Sequence, residues 1–313
     1  MRPGRVLASV AYILSAPRRA LVGRMNRQAA SSGVRGVIVL VALAGWTIAG
    51  PLHGQTTGQR GTPPKPAPAK PAPTKGKPAP PSDPRTVVAE LQKRATVDSQ
   101  HYEGTLRVTD SAGKLSDKRW IYDRLGSAGT SKAIIRFTEP AEVKGVALLI
   151  FNYPDRASDQ WMWTPAISRD RRIATQDRGT RFFGTDFSFE DLEERDVARY
   201  DYTMLGQEVI EGSPCWKIES KPRAGVRSQY TRSILWIRRT SYTYAQIDNF
   251  SEAKTIRRLN YRDLATVQGI VTARTIEVHD LTRNSRTNLR LEALTYNVPL
   301  KEAQFTLEAL RRG

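Results

Sequence analysis

Beyond Gln100 the chain is built from short segments rich in Tyr, Trp, Val, Ile and Thr that recur every ten to fifteen residues. Turn clusters separate them, among them Asp110-Ser111-Ala112-Gly113, Gly126-Ser127-Ala128-Gly129, Pro154-Asp155 and Glu211-Gly212-Ser213-Pro214. This punctuation predicts about eleven strands, over 102–109, 117–124, 131–138, 145–152, 159–164, 200–210, 215–221, 229–238, 242–249, 254–262 and 270–280, with a further one near 286–295. Parallel neighbours need a crossover helix between them, and connections this short leave no room for one. The expected fold is therefore a mainly β (α+β) domain made of an antiparallel meander.

The alternation along the strands tells which faces are wet. In 102–109 the set Tyr102, Gly104, Leu106, Val108 opposes Glu103, Thr105, Arg107, Thr109, so one side meets a core and the other water. The run Val146 to Phe151 is apolar on both sides, and Trp161-Met162-Trp163 repeats that pattern. These strands need two covers, and the helical candidates are few: 84–97, which opens with Asp83 as cap and Pro84 at the first helical position, then 187–195 and 300–311. The expectation is a curved sheet with its concave side closed by short helices. A β-sandwich satisfies the periodicity nearly as well.

Ahead of this domain stand two segments of different composition. Residues 1–54 hold seven arginines, no acidic residue and the apolar run Val37 to Ala49, closed by Gly50, Pro51 and Gly54, which reads as an export signal. Met25-Asn26-Arg27 would begin a signal of ordinary length, and an uncleaved N-terminal anchor is the competing reading. From Pro63 to Pro84 ten of twenty-two residues are proline, so 55–83 is expected to be a disordered or polyproline II spacer, with the folded domain over 84–313. The only cysteine, Cys215, lies far from the apolar run, which leaves no lipid-acceptor cysteine after it and no intramolecular disulfide; a buried structural thiol is expected.

The net charge of +18 suggests nucleic acid until it is located. Residues 1–54 carry +7 and 55–85 carry +5, which leaves +6 for 86–313. A surplus that small over so long a stretch is no focused groove, so no nucleic-acid partner is expected. The spacer lysines suit transient contact with anionic lipid headgroups.

Signals of catalysis are weak. His53, His101 and His279 have no metal-ligand spacing, there is no nucleophile elbow or phosphate loop, and Ser213 sits in a turn composition, so no catalytic residue, metal or cofactor is assigned. The cluster Glu190, Asp191, Glu193, Glu194 is the one arrangement open to acid/base work; Ser188 with Asp191 three residues on reads more simply as a capping box on a short solvated helix. Just before it, Phe182, Phe183, Phe187 and Phe189 concentrate half of the chain's eight phenylalanines in eight residues and require a hydrophobic surface beyond their own element. Upstream, Arg169, Arg171, Arg172 and Arg178 form a basic segment with two open readings: a solvated loop with one arginine paired to Asp186, or a cationic rim (Arg169, Arg171, Arg172) beside an apolar cavity.

An ordered series of motifs resembles the periplasmic LolA-like family, in its group of outer membrane lipoprotein-sorting proteins. The series runs from Pro140 and Lys144 to Leu149, through Trp161-Met162-Trp163-Thr164-Pro165 and Arg171-Arg172-Ile173, to Phe183-Gly184-Thr185-Asp186-Phe187-Ser188-Phe189-Glu190-Asp191-Leu192. It continues in Tyr200-Asp201-Tyr202, Leu205-Gly206, Trp236 and Pro299-Leu300 to Phe305. The most specific part is the motif of Gly184, Thr185, Asp186, Glu190, Asp191 and Leu192. The resemblance implies an unclosed antiparallel barrel with a helical lid over a hydrophobic cavity for acyl chains, and no catalytic residues. The residues expected to line that cavity are Leu148, Ile150, Trp161, Trp163, Phe183, Phe187, Phe189 and Trp236, and a one-residue change of register would exchange half of them.

The function expected on these grounds is that of a monomeric periplasmic carrier of lipoprotein or lipid acyl chains, in a Gram-negative-type cell, working with an inner-membrane transporter. One buried acyl chain supplies on the order of 10 kcal/mol at about 0.8 kcal/mol per methylene, enough to hold the chain out of water though too little to extract it from a bilayer unaided. Two further readings stand beside it: a lipid-sensing or accessory subunit of a transporter or envelope-stress system, and, less favoured, a lipid hydrolase using the acidic cluster.

Overall fold

The computed structural model describes residues 83–312. The export segment expected over 1–54 and the spacer over 55–83, Asp83 apart, lie outside the described residues. Helix α1, Pro84–Arg94, begins as its sequence dictates: Pro84 occupies the first turn, and the Asp83 carboxylate accepts the backbone N–H groups of Arg85 at 3.2 Å and Thr86 at 3.0 Å. It buries Val87 and Val88 against the sheet.

Thirteen strands follow. They are β1 Ser99–Thr109, β2 Leu115–Ser127, β3 Thr130–Glu139, β4 Ala147–Asn152, β5 Asp159–Thr164, β6 Arg169–Arg172, β7 Tyr200–Ile210, β8 Ser213–Pro222, β9 Arg232–Arg238, β10 Tyr244–Ser251, β11 Lys254–Val267, β12 Ile270–Asp280 and β13 Ser285–Tyr296. The expected strands are all present, and the additional one is β6. Its sequence, Arg-Asp-Arg-Arg, has no apolar alternation; backbone pairing with β5 makes it a strand, and its charges suit a sheet edge that must not recruit another chain.

All the strands form one sheet in the order β6-β5-β4-β3-β2-β1-β13-β12-β11-β10-β9-β8-β7, with every neighbouring pair antiparallel. It consists of two meandering arms, β1–β6 and β13–β7, joined where β1 pairs with β13. A bulge between Glu103 and Gly104 marks that seam, and a Cβ on Gly104 would stand 2.0 Å from the Arg290 carbonyl oxygen, so only glycine fits. The terminal strands β6 and β7 do not pair, and the barrel is unclosed.

Strand parity sorts the side chains into faces. Leu106, Trp120, Ile135, Leu148, Ile218, Leu235, Leu259, Val278 and Leu291 come from both arms and join one core cluster, so the sheet curves around them. Their sequence neighbours face outward, where Ile134, Ala147 and Leu149 meet Phe305 and Leu310 in a second cluster. The two-sided apolar run of β4 is thus covered twice, as its composition requires.

The covers differ from expectation. Helix α2, Leu307–Arg311, lies in the 300–311 segment but packs on the convex face, with Arg136 Nη2 donating to the Ala309 and Leu310 carbonyl oxygens at 3.1 Å. The helix expected over 187–195 is reduced to a 3-10 turn at Glu190–Leu192. Concave closure falls to α1 and to the long connection between β6 and β7. Those two strands are consecutive in sequence and at opposite edges of the sheet, so the chain from Ile173 to Arg199 has to cross the open side.

Candidate functional site

The crossing segment is fastened by its own sequence. Phe183 and Gly184 have φ of 44° and 73°, and Thr185 N–H donates to the Phe182 carbonyl at 3.0 Å, which is a tight turn with both central residues left-handed. Glycine at 184 meets that requirement without strain. Arg181 wraps the turn, donating to the carbonyls of Thr185 at 2.7 Å and Gly184 at 2.9 Å and to Asp186 Oδ1 at 2.8 Å. Asp186 is fully buried: its carboxylate also accepts from the hydroxyls of Ser285 and Thr287 on β13, while its own N–H donates to Thr287 Oγ1 at 2.8 Å. The arginine paired with Asp186 is therefore Arg181, outside the basic segment proposed for that role.

Behind this anchor the phenylalanines fill the β1–β6 arm. Phe182 stacks on Phe137 with centroids 5.3 Å apart and meets Phe183 and Phe189 edge-on at 5.7 and 5.8 Å. Leu148, Ile150, Phe187 and Phe189 are buried in the same cluster, and Phe183 packs against it.

The acidic residues are interior fasteners and not surface charge, which corrects the reading of a short solvated helix. Ser188 and Asp191 do form the reciprocal pair of a capping box: Ser188 N–H donates to Asp191 Oδ2 at 2.8 Å and Asp191 N–H to Ser188 Oγ at 3.2 Å. Asp191 also accepts from Arg257 Nη1 on β11 and from the Tyr230 hydroxyl, both at 2.7 Å. Glu190 accepts the Gln229 N–H at 2.9 Å. Glu193 accepts from Gln160 Nε2 on β5 at 2.7 Å and pairs with Arg178 at 3.1 Å. Glu194 pairs with Arg124 of β2 and accepts from Ser131 Oγ of β3 at 2.8 Å. Burial pushes the Glu193 carboxyl up to about 7 against the pull of Arg178. The four acids thus tie the segment to β2, β3, β5, β11 and residues 228–230, and a charge whose partner is fixed elsewhere cannot be displaced cheaply.

Beyond Asp191 the segment no longer fills the space beneath it. A cavity of about 840 Å³ opens between α1, the residues 191–197 and the concave face of the β7–β13 arm, lined by Val88, Leu91, Leu235, Ile247, Leu259, Ile276 and Leu291 and by the tyrosines 102, 202, 242, 244, 261 and 296. Its volume falls in the roughly 300–1,000 Å³ range of small-molecule sites. Arg124, Arg195 and Asn249 bring polar atoms to the wall. Among the described residues no cluster of His, Cys, Asp and Glu has a geometry that could hold a metal ion.

None of the eight apolar residues expected at the cavity lines it. Leu148, Ile150, Phe183, Phe187 and Phe189 do face the concave side, where the crossing segment packs them solid. Trp161, Trp163 and Trp236 are on the other face, because they alternate with Gln160, Met162, Leu235 and Ile237, whose side chains point inward; register parity decides this. Trp161 lines a separate convex groove with Phe151, Phe305 and Leu307. Of the motif residues only Asp191 touches the cavity. Arg169, Arg171 and Arg172 lie on edge strand β6, away from its lining; Arg172 pairs with Asp159, and Arg171 with Asp177 at 3.9 Å. Cys215 is fully buried on the convex face, with its thiol pushed up by burial. Sequence reading missed the cavity tyrosines and Arg195; the only signal available was the recurrence of tyrosine at inward parity in β7, β10 and β11.

An open, curved sheet of consecutive antiparallel strands is the LolA-like fold, and solved structures share it. A domain described as an outer membrane lipoprotein-sorting protein from Vibrio parahaemolyticus matches with a TM-score of 0.69 at 21% identity, covering 73% of this chain and 98% of that one. A DUF1329 family protein from Desulfovibrio piger matches with a TM-score of 0.70 at 26% identity, covering 73% and 100%. A LolA superfamily protein from Nitrosomonas europaea has a TM-score of 0.59 at 17% identity over 73% and 100%. A family model described only as "Uncharacterized protein" matches residues 129–312, well over half of the chain, and the chain belongs to that family. No curated protein matches it.

Proposed function

We propose that this protein carries acyl chains of lipids or lipoproteins through the periplasm of a Gram-negative-type cell toward the outer membrane. The observation that carries this reading is the cavity itself: about 840 Å³, walled by aliphatic and tyrosine side chains and roofed by a segment fastened through buried ion pairs. A hydrophobic cavity kept open by a fixed roof suits a guest that must be held out of water, and each buried methylene contributes about 0.8 kcal/mol to holding it. No step of chemistry is assigned to the wall, where Asp191, Glu193 and Glu194 are each engaged by an arginine.

The wider setting belongs to the same proposal. Residues 1–54 direct export, 55–83 act as a spacer, and the domain over 84–313 receives its cargo from an inner-membrane transporter, because acyl transfer out of a bilayer exceeds what one cavity can supply.

The full chain, purified from membrane-exposed cells and analysed by native mass spectrometry, is expected to carry near-stoichiometric acyl-bearing ligand that organic extraction releases and identifies. Bare protein from such preparations, together with no uptake of added acyl ligand, would overturn the proposal.

A further inference from the structure

Charges on the cavity wall can be paired off, and one remains. Asp191 is held by Arg257 at 2.7 Å, Glu193 by Arg178 at 3.1 Å, and Glu194 by Arg124. Arg94 is taken by Glu90 at 2.7 Å. Among the described residues Arg195 has no carboxylate within 4.0 Å; Glu190 acts on it from beyond contact distance, with its own oxygens bound to Ser228 and the Gln229 N–H.

What Arg195 does touch is weak. Its guanidinium donates to Ser233 Oγ at 3.3 Å and Asn249 Oδ1 at 3.4 Å, and stands 5.7 and 6.0 Å from the rings of Tyr200 and Tyr230. A guanidinium has five N–H donors, so most of its capacity is unused. Beside it Asn249, only 1% exposed, also lines the cavity, and its Nδ2 has no hydrogen-bond partner among the described residues. The amide orientation is fixed by its Oδ1, which accepts from Ser233 Oγ at 2.7 Å as well as from Arg195. Arg195 therefore presents an underused cationic fork to a largely apolar space, with the buried Asn249 amide behind it. An anionic oxygen pair matches a guanidinium fork.

We infer that the cavity takes a single-chain amphiphile with an anionic head, carboxylate or phosphate, whose oxygens bind Arg195 while its chain lies along Leu235, Ile247, Leu259 and Ile276. This rests on the acyl-carrier reading and narrows it: an acylated protein terminus presents no such charge, so the preferred cargo is an anionic lipid.

The test uses the full chain freed of lipid, and competition against a fluorescent acyl probe at pH 7.5, with ligands below their micelle concentrations. Palmitate and palmitoyl lysophosphatidic acid are compared with hexadecanol and monopalmitoylglycerol. Each anionic ligand is expected to bind about tenfold or more tighter than its neutral counterpart, and the order of the two anions tells carboxylate from phosphate. Arg195→Met should abolish the preference while the neutral ligands bind as before, and Arg195→Lys should keep part of it. Equal binding of charged and neutral ligands to the unaltered protein, or an equal loss of both in Arg195→Met, would overturn the inference and leave the acyl-carrier reading standing. If Arg195→Met does not fold, the comparison on the unaltered protein decides alone. Failure of all four ligands to bind removes the carrier reading, and this inference with it.

Discussion

The two arms of the sheet are each built as an antiparallel meander, yet one is solid and the other hollow. Under β1–β6 the crossing segment contributes Phe182, Phe187 and Phe189 to a core already holding Phe137, Leu148 and Ile150. Under β7–β13 the same segment contributes Val197 and charged residues, and tyrosines take the inward positions of β7, β10 and β11. A phenyl ring can be surrounded by other apolar groups, whereas a buried tyrosine hydroxyl needs a partner or water, so a wall of tyrosines tolerates polar space beside it. The filled arm supplies a rigid base for the roof, and the hollow arm is then free to exist as a cavity without collapsing the fold.

Truncation on the two sides breaks or supports this contrast most directly. Phe182→Ala in the solid arm is expected to lower stability by about 3–5 kcal/mol, as for a large core ring. Val197→Ala at the cavity should cost about 1 kcal/mol, because its methyl groups already border open space. Denaturant unfolding of both variants checks the pair, and equal losses would mean that the hollow arm bears load as a core does.

The joint between the arms comes next in size. Asp186→Asn keeps the shape and loses the charge that receives Arg181, Ser285 and Thr287, with an expected loss of about 2–3 kcal/mol. Acyl-probe binding should weaken in parallel, since the roof loses its tie to β13. Unchanged stability in Asp186→Asn would place the anchor elsewhere.

A pH dependence should follow from Glu193. Its folded-state carboxyl is raised above the ordinary value near 4.5 to about 7, so the folded protein binds that proton more tightly than the unfolded chain does. The contribution is fully present below about 4.5 and is lost as pH rises through about 7, at on the order of 1 kcal/mol for each unit of the shift. Thermal unfolding of the unaltered protein and of Glu193→Gln between pH 4 and 8 measures it: the difference between the two curves should lie in that window. A parallel pair of curves would show that Arg178 keeps the carboxylate ionised throughout.

Much of the fold was legible because antiparallel strands carry their own local evidence. The spans 200–210 and 270–280 follow from strand composition and turn residues, and 159–164 from its apolar run, none of which needs knowledge of the partner strand. Strand β6 was not legible, since Arg169 to Arg172 become a strand only through backbone pairing with β5. The cavity was less so. Trp161, Trp163 and Trp236 look like the natural lining of a lipid site, but their facing depends on a one-residue parity that tryptophan content does not disclose. Arg195 sits in Glu193-Glu194-Arg195-Asp196, at the end of the stretch that reads as a short solvated helix. Its place on the cavity wall is imposed by topology: a segment that must join opposite sheet edges brings its charges to the concave side.

The smallest expected effect separates the two arginine groups that could meet an anionic head. Arg169 and Arg171 are exposed on β6, at the edge of the solid arm, and neither lines the cavity. Exchanging both for Gln should change stability by no more than about 0.5 kcal/mol, as for surface positions away from special features. If recognition belongs to the hollow arm, binding of palmitate to this double variant should match that of the unaltered protein at moderate salt. Weakened binding that recovers for hexadecanol would instead move the charged contact out to the edge strand, and the interior guanidinium of Arg195 would then serve the roof alone. A change confined to low salt would indicate steering of the ligand by surface charge, because screening over a Debye length of about 10 Å at 0.1 M removes that contribution first.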